Sequence, residues 1–410
     1  MGLNGSQLCH SRNNERRDSI DEEVFDPVGF PTLRECLKPC STDVHAGHLT
    51  MSVTNTHTIP DEMRAVVLHG PDEWTLETVE TPTFDGVANV ICRVECATIC
   101  GTDPKIFSGH TPGWPPEYPF IPGHEIAGTV VAVDKSVNRF EPGDRVFAET
   151  HSGCGYCDMC RNGRYNLCEN YGDDATGHRQ IGHTMNGGFA EYLAVPEDTL
   201  HHLNEALSWR EGALLDINAT ALQCAVRGGI QPGDHVAVLG TGTLGLLSVQ
   251  YATLMGASKV IGIDIPERLE LAGTLGATET ISYETEDVLE RVKSLTDGVG
   301  VDVTIEAVGT AATFQQSIDI TRNGGVVSLL GVPKDDRQSI AVGELVKREI
   351  DYRGTRAHAN YAGRSARLVE QDQIDVDALI THEFEFDDFE EAFETFAERK
   401  DGAIKVALSM

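Results

Sequence analysis

Cys154, Cys157, Cys160 and Cys168 lie in the run CGYCDMCRNGRYNLC, spaced Cys-x2-Cys-x2-Cys-x7-Cys. Thiolates two residues apart on a tight turn converge on one tetrahedral ion, and a fourth from the far side of a small loop closes the shell. The spacing points to zinc. Four sulfurs leave no position for a substrate, so this ion is structural and catalysis must come from elsewhere. An iron–sulfur cluster is the competing reading, but the bacterial ferredoxin run places its fourth cysteine after three residues and before a proline.

Three other segments carry candidate ligands for a second ion: Cys100 in ICGTD, His124 and Glu125 in PGHE, and Asp216 in LLDINAT. One sulfur, one imidazole and one carboxylate leave zinc an exchangeable fourth position, as Lewis-acid chemistry requires. Each residue alone has a plainer reading. A single cysteine is usually a small buried apolar group, His124 can cap a turn, and an aspartate before a helix is commonly an N-cap.

The third chemical motif is Gly240-Thr-Gly-Thr-Leu-Gly245, which follows the apolar run HVAVL and precedes a helical pattern. That context marks a dinucleotide-binding turn. Gly240 permits the tight turn, Gly242 lets backbone approach a pyrophosphate, and Gly245 lets helix and strand pack closely. The helix N-terminus offers free N–H groups and the positive end of its dipole to the phosphates. Asp264 ends the next strand, 19 residues after Gly245, where a carboxylate takes the ribose hydroxyls and repels a 2′-phosphate. NAD is therefore expected, with NADP left open by Arg268, a guanidinium suited to that phosphate. An ordinary solvated strand end is the plain reading of Asp264.

These motifs need two kinds of framework. From Arg64 onward, short alternating runs at 65–68, 90–94, 128–133 and 145–148 are separated by Gly and Pro, the texture of an antiparallel β domain. Near Glu211 the texture changes. Apolar runs at 236–239, 260–263, 301–305 and 326–330 alternate with helical patterns, the signature of a parallel sheet covered on both faces. An amphipathic helix over 389–396 and a strand over 404–408 close the chain. The first 60 residues lack periodicity and read as a disordered extension in which Cys36, Cys40, His45 and His48 are incidental. Met51 and Met63 are both plausible starts, and the opening Met-Gly-Leu-Asn-Gly-Ser matches a myristoylation pattern too short to carry weight.

The chain has 410 residues and a net charge of −32, and residues after 60 carry 56 acids against 27 bases. The acidity thus belongs to the folded body. Such a surface repels nucleic acid and anionic membranes. It also suits solubility at high salt, where screening relieves self-repulsion, so a halophilic host is expected. The uncharged stretch 236–258 is long enough to span a bilayer, but its glycines suit a strand, a turn and a buried helix. With four of eleven cysteines at metal-ligand spacing and no secretory signal, a reducing cytoplasm is expected.

Taken in order, ICGTD, PGHE, the four-cysteine run, GGFAEY at 187–192, the Gly-rich loop and EAVG at 306–309 resemble the zinc-dependent medium-chain alcohol dehydrogenases across 63–410. The resemblance is strongest to the threonine and polyol (sorbitol-like) dehydrogenase branch, in which an acidic residue replaces a second cysteine ligand. It implies an α/β protein: a GroES-like antiparallel β catalytic domain over 61–212 and 354–410, and a Rossmann doubly wound parallel sheet over 213–353. It implies two Zn2+ per chain, NAD with NADP possible, a small-molecule alcohol or polyol substrate, and a homo-oligomer, tetramer or dimer. Asp216 matches the acidic position, where glutamate is commoner, and Glu125 matches a glutamate at the metal. Thr102 matches the hydroxyl that hands the alcohol proton toward solvent. His151 is a candidate substrate contact, with a loop residue beside the lobe as its plain reading. Leu244 and Val308 fall where that family meets its cofactor.

The expected activity is hydride transfer between a secondary alcohol (a polyol, an amino alcohol such as threonine, or a small diol) and NAD. A zinc-independent quinone-type reductase on the same fold is one alternative, disfavoured because it needs neither Cys100 and His124 nor the four-cysteine lobe. A catalytically silent, metal-stabilised binding protein is the other. Loops at 109–118, 173–185 and 356–361 are expected to shape the substrate pocket.

Overall fold

The computed structural model describes residues 59–110, 114–171, 178–334 and 337–410. The expected extension over 1–60 therefore lies outside the described residues except for its last two, as do parts of the 109–118 and 173–185 loops.

Six strands form a wholly parallel sheet in the order Glu279–Ser282, Lys259–Asp264, His235–Leu239, Val301–Glu306, Thr321–Leu329, Asp351–Gly354. The first strand in sequence, His235–Leu239, lies third, so the chain winds outward from it in both directions. At this reversal the crevice beyond the strand ends opens, which is where such sheets bind ligands. The strands are almost continuously apolar because both faces are covered. Leu215–Gly228 and Thr243–Leu254 pack on one face, and Val288–Leu295 covers the other. The uncharged stretch 236–258 is here a strand, a turn and a buried helix.

A second sheet follows the order Ile380–Glu385, Lys405–Ser409, Val90–Ile99, Glu125–Val133, Arg145–Ala148, Leu200–His202, with Tyr192–Val195 also pairing to Val90–Ile99. Its pairs are antiparallel apart from Ile380–Glu385 against Lys405–Ser409. Val90–Ile99 is central, and register shifts at Ile91/Cys92 and Val94/Cys96 bend it. Register here decides function. Thr98 faces Glu125 and Ile99 faces Val406, so Cys100, Glu125 and Lys405 meet at one end of three adjacent strands.

The expected strands are present, some longer than the runs that announced them: 65–68 extends to Glu62–Gly70 and 128–133 to Glu125–Val133, whereas Arg145–Ala148 keeps its bounds. The closing helix and strand are Phe389–Glu398 and Lys405–Ser409. No helix among the described residues is long and apolar enough to cross a membrane.

Candidate active site and metal centres

In the lobe, the four sulfurs of Cys154, Cys157, Cys160 and Cys168 lie within 4.8 Å of one another. Cys154 Sγ is 3.9 Å from Cys160 Sγ, and Cys157 Sγ is 3.9 Å from Cys168 Sγ. A zinc with sulfur bonds of about 2.3 Å spaces tetrahedral ligands by about 3.8 Å. The lobe therefore fits one ion, and the several metals and sulfides of a cluster have no room within it. Gly153 is required here, because a Cβ would lie 2.6 Å from Cys160 Sγ. Burial opposes ionisation of Cys154, but N–H groups of Cys157 and Tyr156 and the Asn170 amide bring its thiol down to about 6. Cys157 is lowered as well, chiefly by the Cys160 N–H, whereas burial pushes Cys160 up to about 12 and raises Cys168, so the protein by itself favours two thiolates and a bound cation would have to draw off the other two protons.

At the sheet end, ligand atoms of Cys100, His124 and Glu125 also lie within 4.8 Å of one another. Cys100 follows Val90–Ile99, its N–H donating to Asp103 Oδ2 at 2.7 Å. His124 is buried, with Nδ1 3.5 Å from Asp103 Oδ1 and Nε2 3.4 Å from Thr102 Oγ1. Burial pushes its pKa down, yet Asp103 and Cys100 hold it well above the usual imidazole range. That negative field is the one a cation would occupy.

Glu125 divides its oxygens. Oε2 accepts from Lys405 Nζ at 2.6 Å and from the Thr98 hydroxyl, whereas buried Oε1 has no hydrogen-bond partner among the described residues. An orphaned carboxylate oxygen beside a thiol and an imidazole fits a divalent ion. Lys405 is itself only 1% exposed and also donates to Ile99 O at 3.0 Å. Burial opposes its charge, but Glu125 and Cys100 keep its pKa raised.

Asp216 departs from expectation. It is not in this cluster: Oδ1 accepts from Thr150 N–H and His358 Nε2, both at 3.0 Å, and Oδ2 accepts from the Thr150 hydroxyl at 2.7 Å. The aspartate arm is committed to these donors rather than to Cys100 and His124. Burial works against ionisation, yet His358 and Thr150 hold its carboxyl below the ordinary range.

His151 is buried, and burial together with Arg356 lowers its pKa to about 3, so it is neutral near pH 7. His183 and Trp114 extend the wall beside the metal cluster: the His183 ring lies 4.5 Å from both His124 and Trp114.

A cleft of about 1090 Å³ joins this site to the parallel sheet, lined by Cys100, Thr102, Gly240, Gly242, Asp264 and Arg268 among others. Gly240 has φ +86°, and a Cβ there would meet Val308 Cγ2 at 2.5 Å. At Gly245 a Cβ would fall 1.7 Å from Gly240 O, while at Gly242 it would meet only Arg268 Nη1, at 3.8 Å. The three glycines thus turn, open and pack as a pyrophosphate cradle requires. Leu244 and Val308 line the same cleft.

Asp264 is less open than a solvated strand end. Its Oδ2 accepts from Thr241 N–H at 2.6 Å, Oδ1 accepts from Ile265 N–H at 2.8 Å, and Arg268 Nη1 stands 3.6 Å away. Arg268 is thereby partly neutralised, which weakens it as a 2′-phosphate receptor.

Asp103, Lys405, Thr98 and His358 escaped the sequence reading. Lys405 had a signal, a lone cation inside the apolar run AIKVAL, and His358 lay within the 356–361 loop expected to shape the pocket, with nothing to mark its partner.

Residues 86–205 match the alcohol dehydrogenase GroES-like domain and residues 243–370 match zinc-binding dehydrogenase. The chain is 33% identical over 353 residues to sorbitol dehydrogenase of Bacillus subtilis (strain 168), covering 86% of this chain and 98% of that protein. It is 33% identical over 344 residues to L-threonine 3-dehydrogenase of Symbiobacterium thermophilum, covering 80% and 93%. Among solved structures, alcohol dehydrogenase TADH from Thermus sp. ATN1 superposes with a TM-score of 0.76 at 32% identity, covering 85% of this chain and 99% of that one.

Proposed function

Because this chain belongs to the zinc-binding alcohol dehydrogenase family, we propose that it moves a hydride between a secondary alcohol and NAD at the cleft between its two sheets. It is an oxidoreductase acting on CH–OH groups, with zinc and a nicotinamide dinucleotide as cofactors. The observation that carries the reading is the shared cleft, in which Cys100 and Thr102 face the same space as Gly240, Gly242 and Asp264.

Cys100, His124 and Glu125 would hold the catalytic zinc, and the four lobe cysteines the structural one. A bound zinc supplies Lewis acidity, which for water is worth about nine pKa units or roughly 12 kcal/mol. The chain's own residues do the rest. Thr102 Oγ1, beside His124, receives the alcohol proton and passes it toward solvent. The Gly-rich turn and the helix behind it hold the pyrophosphate and so bring the nicotinamide against the substrate carbon. Asp264 reads the adenosine ribose with Arg268 beside it, Leu244 and Val308 pack against the cofactor, and neutral His151 contacts substrate. Asp216 would join the catalytic zinc's ligand set by leaving Thr150 and His358, or through a bridging water.

We place the catalytic domain at 61–212 and 354–410 and the cofactor domain at 213–353, which agrees with a parallel sheet running from His235 to Gly354. Substrates are polyols, amino alcohols such as threonine, or small diols. The acidic body suits a halophilic cytoplasm, and the assembly is a dimer or tetramer that binds neither nucleic acid nor membrane. A panel of secondary alcohols assayed at high KCl for NADH and NADPH formation, with metal analysis, tests this. Two zincs per chain and faster NAD reduction are expected; one inert zinc and no reduction with any alcohol would sink it.

A further inference from the structure

A dinucleotide brings the negative charge of its pyrophosphate to the Gly-rich turn, and the cleft is sparing with cations to meet it. Four line it among the described residues: Lys105, Arg268, Arg399 and Lys405. All but Arg399 are already engaged. Lys405 is buried and donates to Glu125 and Ile99 O, Arg268 stands 3.6 Å from the Asp264 carboxylate, and Lys105 Nζ donates to Val332 O at 3.1 Å. Arg399 is exposed, and its acidic neighbours Glu394 and Glu398 pair with Lys400 instead, at 2.8 and 3.5 Å. Glu286, Asp287 and Asp319 line the same cleft, so it is otherwise short of positive charge.

The backbone carries Arg399 to within one tight turn of the phosphate-binding helix end. Helix Phe389–Glu398 ends at Arg399, which takes φ +57°, and Asp401 at φ +49° and Gly402 at φ +77° wind the chain back on itself. Ala403 N–H donates to Lys400 O at 3.0 Å, and the carbonyl of the next residue, Ile404, accepts from Thr243 Oγ1 at 3.2 Å. Thr243 is the first residue of the helix that follows Gly242, the end that receives a pyrophosphate. A left-handed residue at a helix end suits glycine, and an arginine there costs stability. A strained position whose charged side chain has no ionic partner among the described residues points to a partner from outside.

We propose that Arg399 is a cofactor-binding residue whose guanidinium takes the pyrophosphate of the nicotinamide dinucleotide. The inference rests on the dinucleotide reading above. Helix N–H groups after Gly242 offer directed but partial charge, whereas a guanidinium offers a full charge and a fork of donors matched to phosphate oxygens. Arg399 precedes strand Lys405–Ser409 of the second sheet, and the Gly-rich turn belongs to the parallel sheet. A pyrophosphate held by both ties the two sheets together around the cofactor. The contact is exposed, so dissolved salt weakens it.

The test titrates full-length protein with NADH, NADPH and ADP-ribose, and with adenosine by competition, at high KCl and at the lowest KCl that keeps it folded. Arg399→Gly suits the left-handed backbone, so it should fold with an unchanged or raised melting temperature while binding NADH and ADP-ribose about 10-fold more weakly, the scale of one charge-assisted hydrogen bond. Arg399→Gln should lose as much, and Arg399→Lys, which keeps the charge, should recover part of the loss. The loss should shrink at high KCl. Adenosine, which has no phosphate, should bind each variant as it binds wild type. Unchanged NADH affinity in both Arg399→Gly and Arg399→Gln at low KCl would overturn the proposal. A loss confined to NADPH would overturn it too, by assigning the guanidinium to a 2′-phosphate, as would an equal loss for adenosine, the mark of a distorted cleft. A wild-type protein that binds neither dinucleotide defeats the cofactor reading itself, a different failure recognisable before any variant is made.

Discussion

The two candidate metal centres are built on opposite plans. The lobe takes four identical soft ligands from fifteen consecutive residues, and local turns bring the sulfurs together. The cleft centre takes a sulfur, an imidazole and a carboxylate from strand ends, and leans on Lys405, 280 positions from Glu125. A closed shell of one ligand type gives stability without access. A mixed, incomplete shell gives access, and its spare charge must be offset by buried neighbours drawn from distant sequence.

Breaking the comparison at its strongest point, Cys100→Ala or His124→Ala should cost more activity than the roughly 10- to 100-fold typical of an outer-shell loss, with one zinc per chain retained in the lobe. Turnover close to wild type would show that the metal reading of the cleft is wrong. Lys405→Met leaves Glu125 buried without its cation and should destabilise the metal-free protein by about 3–5 kcal/mol, seen as a lower urea midpoint. Added zinc should recover part of that loss, since a divalent ion also neutralises Glu125; no recovery would separate Glu125 from metal binding. Cys157→Ser should remove the lobe ion, lower the melting temperature and leave cleft zinc in place, whereas an unchanged zinc count would mean the lobe holds none.

A separate test concerns acid. His151 and His178 are buried, and burial first and Arg356 second hold their pKa values at about 3 and about 4, below the ordinary histidine value. The unfolded chain therefore takes up protons first as pH falls. Their contribution is complete above about pH 6.5, declines by about 1.4 kcal/mol per pH unit per histidine below it, and levels off under the folded values. Denaturation midpoints measured from pH 8 to 4 should fall in that window, and fall less in His178→Gln.

Legibility in the sequence tracked distance along the chain. The four-cysteine lobe, the Gly-rich turn and the alternating strands are local patterns, so spacing alone announced them. Cys100, His124 and Glu125 were readable as short motifs, although nothing in their spacing showed that the register of Val90–Ile99 against Glu125–Val133 would unite them. The neighbours of Asp216 in sequence are silent about Thr150 and His358, which reach it from 66 and 142 positions away.

By itself, the sequence determined the chemistry on offer: a sulfur cage, a phosphate-binding turn, a mixed ligand set and an acidic surface. These follow from residue type and near-neighbour geometry, which covalent structure controls. Tertiary structure decided how each charge is used. Glu125 turns one oxygen to Lys405 and leaves the other free, Asp264 is drawn in by Thr241, and Asp216 is claimed by His358. A buried ionised group takes whichever partner the packing of remote strands and helices delivers, because unpaired charge in that environment is too costly to keep.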